Sequence, residues 1–328
     1  MTRQDPQWTT VAVVGAGTIG LSWAALLAAR GLRVRLTDPR EDLAQVLTEA
    51  IPALSAGIPG TTPADLLSRI EVVPSLPEAV RDVDLVQENG PERLSFKQDL
   101  FAEIAAHAPR EAVLASSSSG IVASDIAEDL PDEAAARLLI AHPFNPPHVV
   151  PLVEVVPGAR TAEPVVTGAF DFYREIGKTP VRLRKEVDGF VANRLQSAIM
   201  REAISLVLDG VVSVPELDTV MKASLGGRYA TIGPFESFHL GGGPGGIRHM
   251  MRHLGVGMAE RWKELGDPAL TPAAIDELTT QTESAYGFGA DAYVDRTRSR
   301  DRRHNAISAA LDSEARDDGA GQGRHHRN

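Results

Sequence analysis

Between Val11 and Arg184 the chain alternates short runs of β-branched and aliphatic residues with longer stretches whose apolar positions recur every three or four residues. A short apolar run bounded by turn residues reads as a strand, and the wider spacing places its apolar residues on one face of a helix. The runs Val11–Val14, Val34–Thr37, Ile70–Val73, Leu85–Gln87, Val113–Ser116, Leu138–Ala141, Val149–Val156 and Val181–Leu183 are read as strands, with Ile19–Arg30 and Leu94–His107 the clearest helices between them. This alternation predicts a parallel sheet covered by helices. After Gly189 the strand runs stop. Val191, Leu195, Ala198, Ile199, Leu206 and Val207 mark a helix over Phe190–Asp209, and further helical stretches continue to about Ala292.

The pattern predicts an α/β domain over residues 1–186 joined, through the charged stretch Lys185–Asp188, to an all-helical domain over 187–295. Residues 296–328 read as a disordered, solvated tail, its basic cluster Arg296–Arg303 included. Of the 328 residues 43% are hydrophobic and 23% charged, the balance of a folded globular protein. No apolar run approaches the roughly 20 residues of a membrane span, and Met1–Thr10 lacks the pattern of a secretory signal, so a soluble, cytoplasmic protein is expected. With no cysteine there is no thiolate metal site, and no metal centre is expected. A net charge of −11 argues against a nucleic-acid partner.

The first strand runs directly into Gly15-Ala16-Gly17-Thr18-Ile19-Gly20, and a helix follows at once. In that context the glycines have distinct uses. Gly15 permits the tight turn, Gly17 lets the backbone approach a pyrophosphate, and Gly20 lets helix and strand pack closely, while the free N–H groups of Thr18 and Ile19 at the helix start face the phosphates. Asp38 ends the second strand, about twenty residues on, where a carboxylate accepts hydrogen bonds from the adenosine ribose. It repels a 2′-phosphate, so NAD is expected over NADP, although Arg40 stands two residues away. A Rossmann-type dinucleotide-binding domain follows.

The stretch from Ala141 to Val156 concentrates the candidate chemistry. Two β-like segments flank a Pro-rich turn, and positions 142 and 154 are equidistant from 148. Folded back as a hairpin, they make His142 and Glu154 cross-strand neighbours, about 5 Å apart at Cβ. A carboxylate there fixes the imidazole tautomer and raises its proton affinity, which suits a general base near neutral pH. His148, without a comparable partner in the sequence, reads as turn or surface.

The Gly15 motif, the Ser116–Ser119 run, His142-Pro-Phe-Asn145-Pro-Pro, Leu152-Val-Glu154-Val and Gly189-Phe-Val-Ala-Asn193-Arg194 occur in an order that resembles the L-3-hydroxyacyl-CoA dehydrogenase family. The segment Arg228-Tyr229-Ala230-Thr231-Ile232-Gly233-Pro234-Phe235-Glu236 is most similar to its λ-crystallin and L-gulonate 3-dehydrogenase branch, which includes carnitine dehydrogenases and aromatic-polyketide ketoreductases. The resemblance implies an NAD-dependent oxidoreductase and a homodimer. It makes His142 the acceptor of the 3-hydroxyl proton, Glu154 its orienting partner, Ser119 a donor to the reacting oxygen and Asn193 a hold on the substrate. It puts Asn145 and Arg228 in the substrate network and Glu88 and Lys97 against the cofactor. The family commonly has Asn-Thr ahead of the catalytic Ser, where this chain has Ser117 and Ser118. A basic groove for CoA phosphates is not legible in so acidic a chain, which tilts the expected substrate toward a free or carrier-linked 3-keto acid. A crystallin-like structural protein and an NAD-sensing module are the alternatives, and neither would need the His142–Glu154 pair. The glycine-rich stretch Gly241–Gly246 reads as a mobile loop.

Overall fold

The computed structural model describes residues 8–322 and divides after Arg194 into two compact units. The first holds β1 (Thr10–Val14), α1 (Thr18–Ala29), β2 (Arg33–Thr37), α2 (Leu43–Gly57), α3 (Pro63–Leu67), β3 (Ile70–Val72), α4 (Leu76–Val80), β4 (Leu85–Glu88), α5 (Leu94–His107), β5 (Val113–Ser116), α6 (Ala123–Ile126), α7 (Asp132–Ala135), β6 (Leu138–Pro143), β7 (Leu152–Pro157), α8 (Glu163–Glu175) and β8 (Thr179–Arg182), and α9 (Ala192–Leu208) begins in it. The eight strands form one sheet in the order β3-β2-β1-β4-β5-β6-β7-β8. All pairings are parallel except β6–β7. Helices cover both faces, so alternate residues of β1 enter different cores. Val11 and Val13 join Trp23, Leu27 and Tyr173, while Ala12 and Val14 join Phe101, Ile104 and Phe190. Burial on both faces explains why these strands read as unbroken apolar runs.

The predicted strand Val149–Val156 is shorter in the structure. Val149 and Val150 donate their N–H groups back to the Pro146 carbonyl, each at 3.0 Å, and Pro151 has no N–H for a ladder, so β7 opens at Leu152. The predicted helix over Phe190–Asp209 is α9.

The second unit continues α9 and holds α10 (Val214–Met221), α11 (Gly227–Tyr229), α12 (Pro234–Gly241), α13 (Gly246–Trp262), α14 (Pro272–Tyr286) and α15 (Ala290–Gln322), with no strand among its described residues. Ser213 and Thr271 start α10 and α14 as caps, each followed by Pro in the first turn. The glycine-rich stretch is a compact turn between α12 and α13 rather than an extended loop. Gly243 and Gly246 take positive φ, and a Cβ on Gly242 would meet the Gly246 carbonyl oxygen at 1.9 Å. The tail reading is also corrected, because residues 296–322 belong to α15. Asp295, Arg298 and Asp301 follow at threes, a spacing that supports a helix by charge pairing, and Arg296 lies over the Tyr286 ring at 5.2 Å. Residues 323–328 lie outside the described residues. None of the described helices is long and apolar enough to cross a membrane.

Candidate active site

The loop after β1 meets the demands read from its glycines. Gly15 has φ +94°, and a Cβ on Gly20 would sit 1.8 Å from the Gly15 carbonyl oxygen. A Cβ on Gly17, in contrast, would project into open space with no atom within 4 Å. That vacant approach beside the first N–H groups of α1, at Thr18 and Ile19, fits a pyrophosphate. The loop opens onto a cavity of about 730 Å³ lined by Gly15, Gly17, Asp38, Asn89, Pro91 and Phe96 among others. Asp38 accepts from the Ala16 N–H at 2.7 Å and from the Arg40 N–H at 3.1 Å. The Arg40 guanidinium turns to Asp42, 2.7 Å away, instead of standing open to a 2′-phosphate. The residues present therefore fit NAD.

Glu88 and Lys97 lie in the interior. Glu88, at the end of β4, is fully buried, and the Lys97 ammonium from the first turn of α5 binds both of its oxygens at 2.9 Å. Ser116 Oγ also donates to Glu88. The structure thus places the two residues in a buried ion pair behind the cavity, rather than among its lining residues.

Antiparallel pairing of β6 with β7 puts His142 directly opposite Glu154. His142 Nδ1 lies 2.8 Å from Glu154 Oε2, with both side chains buried. The other carboxylate oxygen accepts from the Val191 and Ala192 N–H groups at 2.9 and 3.0 Å, at the start of α9. Burial raises the Glu154 carboxyl, but the His142 hydrogen bond and the two backbone N–H groups outweigh it and hold Glu154 below its ordinary value. An ionised carboxylate only accepts, so Nδ1 carries a proton, and in the neutral imidazole it is Nε2 that keeps the lone pair. Phe190, buried with φ +49°, brings the α9 start to Glu154 and sets its ring 5.2 Å from the His142 ring. A bulky side chain in left-handed backbone is strained, and here the strain accompanies the turn that feeds two N–H groups to one carboxylate.

Ser119 follows β5, is exposed, and accepts at its carbonyl from Asn193 Nδ2 at 3.2 Å. Asn193 is the second residue of α9, next to the Ala192 N–H that binds Glu154, so the structure brings Ser119, Asn193 and the His142–Glu154 pair together. Asn145 is exposed in the turn between β6 and β7. Arg228 is exposed on α11 of the helical unit.

Three residues escaped the sequence reading. Glu92 Oε1 accepts from Ser118 Oγ at 2.6 Å and from the N–H groups of Ser119 and Gly120 at 2.9 Å, so one carboxylate clasps the turn that carries Ser119. Ser117, where the family commonly has Asn, accepts from Gln87 and Trp23 and donates to Asn89 Oδ1 at 2.8 Å. His148, read as turn or surface, is tied to α1. Ser22 Oγ lies 2.7 Å from its Nδ1 and accepts its backbone N–H at 3.0 Å. That partner is 126 positions away, beyond any local pattern.

A dinucleotide loop, a ribose carboxylate and a buried His–carboxylate pair on one doubly covered sheet define a nicotinamide-dependent dehydrogenase. The chain matches the model of the 3-hydroxyacyl-CoA dehydrogenase NAD binding domain over residues 10–187 and that of the C-terminal domain over 189–267. It belongs to the 3-hydroxyacyl-CoA dehydrogenase family and is an NAD-dependent oxidoreductase of a 3-hydroxy group. It is 40% identical over 315 residues to an L-carnitine dehydrogenase of Nocardiopsis dassonvillei, covering 95% of this chain and 94% of that one. A 3-hydroxyacyl-CoA dehydrogenase of Gibberella moniliformis is 44% identical over 75% of this chain and 77% of its own. Among solved structures, an NAD+-dependent dismutase, 5-formyl-3-hydroxy-2-methylpyridine 4-carboxylic acid 5-dehydrogenase, aligns with a TM-score of 0.70 at 27% identity, over 92% of this chain and 98% of that one.

Proposed function

We propose that the chain interconverts a small, free 3-hydroxy acid and its 3-keto acid, with L-carnitine the first substrate to test. The observation that carries the reading is the His142–Glu154 pair, whose geometry leaves Nε2 unprotonated to take the 3-hydroxyl proton. Bound NAD supplies the hydride acceptor. Glu154 balances the imidazolium that forms, and the α9 N–H groups keep that carboxylate ionised. Ser119 donates to the reacting oxygen, Asn193 fixes the Ser119 turn and contacts substrate, and Asn145 belongs to the same polar network. A free acid is favoured by the acidic chain and by the extended similarity to an L-carnitine dehydrogenase. The test is absorbance of NADH with L-carnitine, L-gulonate, acetoacetyl-CoA and a polyketide-like 3-keto thioester. A free acid should exceed the CoA thioester in kcat/KM by about tenfold or more, the discrimination a few polar contacts give. Preference for acetoacetyl-CoA would return the substrate to the thioester class. Tight NADH binding with no turnover would leave the crystallin-like or sensing reading.

We also propose a homodimer formed by the helical unit. Phe235 and Phe288 are 84% and 82% exposed there, and Leu195, Leu240 and Trp262 are exposed with them, more apolar surface than a lone unit leaves to water. Light scattering at micromolar concentration should give twice the chain mass, and a monomer would end this reading.

A further inference from the structure

Lys178 is buried, 6% exposed, just ahead of β8, and no carboxylate among the described residues pairs with it. Its ammonium instead donates to the carbonyls of Pro147, at 2.7 Å, and Val150, both in the turn between β6 and β7. It lies 5.3 Å from the Trp23 ring centre on α1, over the ring face. The neighbouring residue of α1, Ser22, holds His148 of the same turn through two contacts. A buried cation without a counter-ion is costly, and it persists where surrounding dipoles and a π face receive it. The turn it serves joins the two strands whose register sets His142 against Glu154.

We infer that Lys178 is a positioning residue, which with Ser22 clamps the β6–β7 turn onto α1 and so holds His142 against Glu154 for proton transfer. The same clamp ties the helix that begins at the dinucleotide loop to the hairpin that carries the base. Burial, aided by Arg30 at the end of α1, brings the Lys178 ammonium down to about 7. The other titratable groups around it are His148 in the turn and Tyr173 of α8, whose hydroxyl donates to Gln87. Losing the proton lifts the cost of the buried charge while the neutral amine keeps two N–H donors for the two carbonyls, so the clamp tightens as pH rises through that value.

The kinetic consequence rests on His142 as the base, but the structural one does not, so both are measured on the full chain. In hydrogen–deuterium exchange, Lys178→Met should raise exchange of the Val149 and Val150 amides about tenfold and leave the Ala12 and Val13 amides of β1 unchanged. With any substrate of the panel, kcat should fall about tenfold while KM for NAD stays within twofold. Adding His142→Gln should cost little more than His142→Gln alone, because the clamp acts through that imidazole. Unchanged turn exchange, or a full multiplicative loss in the double variant, would overturn the inference. Should Lys178→Met fail to fold, the wild-type protein decides. After correction for intrinsic exchange, protection of Val149 and Val150 should rise about fivefold or more between pH 6 and 9, and flat or falling protection would refute the clamp. If no panel substrate turns over, the proposed function fails while the exchange result still stands or falls by itself.

Discussion

Glu154→Gln separates the charge of the carboxylate from its shape. In the native protein one oxygen takes two backbone N–H groups and the other takes His142 Nδ1. An amide has one acceptor oxygen and one donor nitrogen. If the oxygen stays with Val191 and Ala192, the amide nitrogen faces Nδ1, and the imidazole must move its proton to Nε2, where it can no longer act as the base. If the oxygen turns to His142, the nitrogen meets two N–H donors that have lost their acceptor. Each unsatisfied buried donor costs about 1–3 kcal/mol, so the first arrangement wins and the inactive tautomer is populated. The imidazolium formed in the reaction also loses a charge-assisted hydrogen bond, worth about 1.5–3 kcal/mol. Together these put the loss in kcat at about 100-fold or more, within the range of general acid–base help. NADH binding, measured by fluorescence titration, should change less than twofold, because the dinucleotide loop is untouched. Paired with His142→Gln, which should itself lose about 100-fold or more, the double variant should be little worse than the single one. Glu154→Gln that retains half the native kcat would show that the proton leaves by another route.

The remaining perturbations probe the cofactor loop and the buried lysine. Gly17→Ala should keep the native melting temperature but weaken NADH binding about tenfold, since its Cβ meets no protein atom and enters the phosphate approach; Gly20→Ala should fail to fold stably, because its Cβ would lie 1.8 Å from a carbonyl oxygen. Asp38→Ala should weaken NADH and narrow its advantage over NADPH in paired titrations, and an NADPH preference in the native chain would overturn the ribose assignment. Lys178 has a folded value of about 7 against an ordinary 10.5, so unfolding takes up a proton between those pH values and stability rises with pH across that window. In urea titrations the wild-type protein should therefore gain about 2 kcal/mol relative to Lys178→Met between pH 7 and 9, and a constant difference would show that the amine is not depressed.

The fold was legible because its signals are local. Strands β1, β5 and β6 are largely apolar runs buried along their whole length, and the glycine loop packs its function into six consecutive residues. The His142–Glu154 pairing was legible for a related reason. A short turn leaves few registers, and the symmetric spacing about 148 selected the one observed. Tail disorder was misjudged because average composition hides a charge spacing that suits a helix, as at Asp295, Arg298 and Asp301.

What stayed hidden joins distant parts of the chain. Glu92 reaches the Ser119 turn across 27 positions, Lys178 reaches Pro147 across 31 and Ser22 reaches His148 across 126. Such contacts depend on which loops the sheet order brings to one end, and in a doubly wound sheet that end collects the turns after several strands. Lys178 offered the sequence only a lone cation between Gly177 and Thr179, no different in pattern from a solvated one. The structure distinguishes it by two carbonyls and an indole face. The residues proposed to touch cofactor and substrate therefore lie in short motifs, whereas the residues that hold those motifs in place require the fold. Lys178→Met is the substitution that tests this division, since it leaves every motif intact and should still cost turnover.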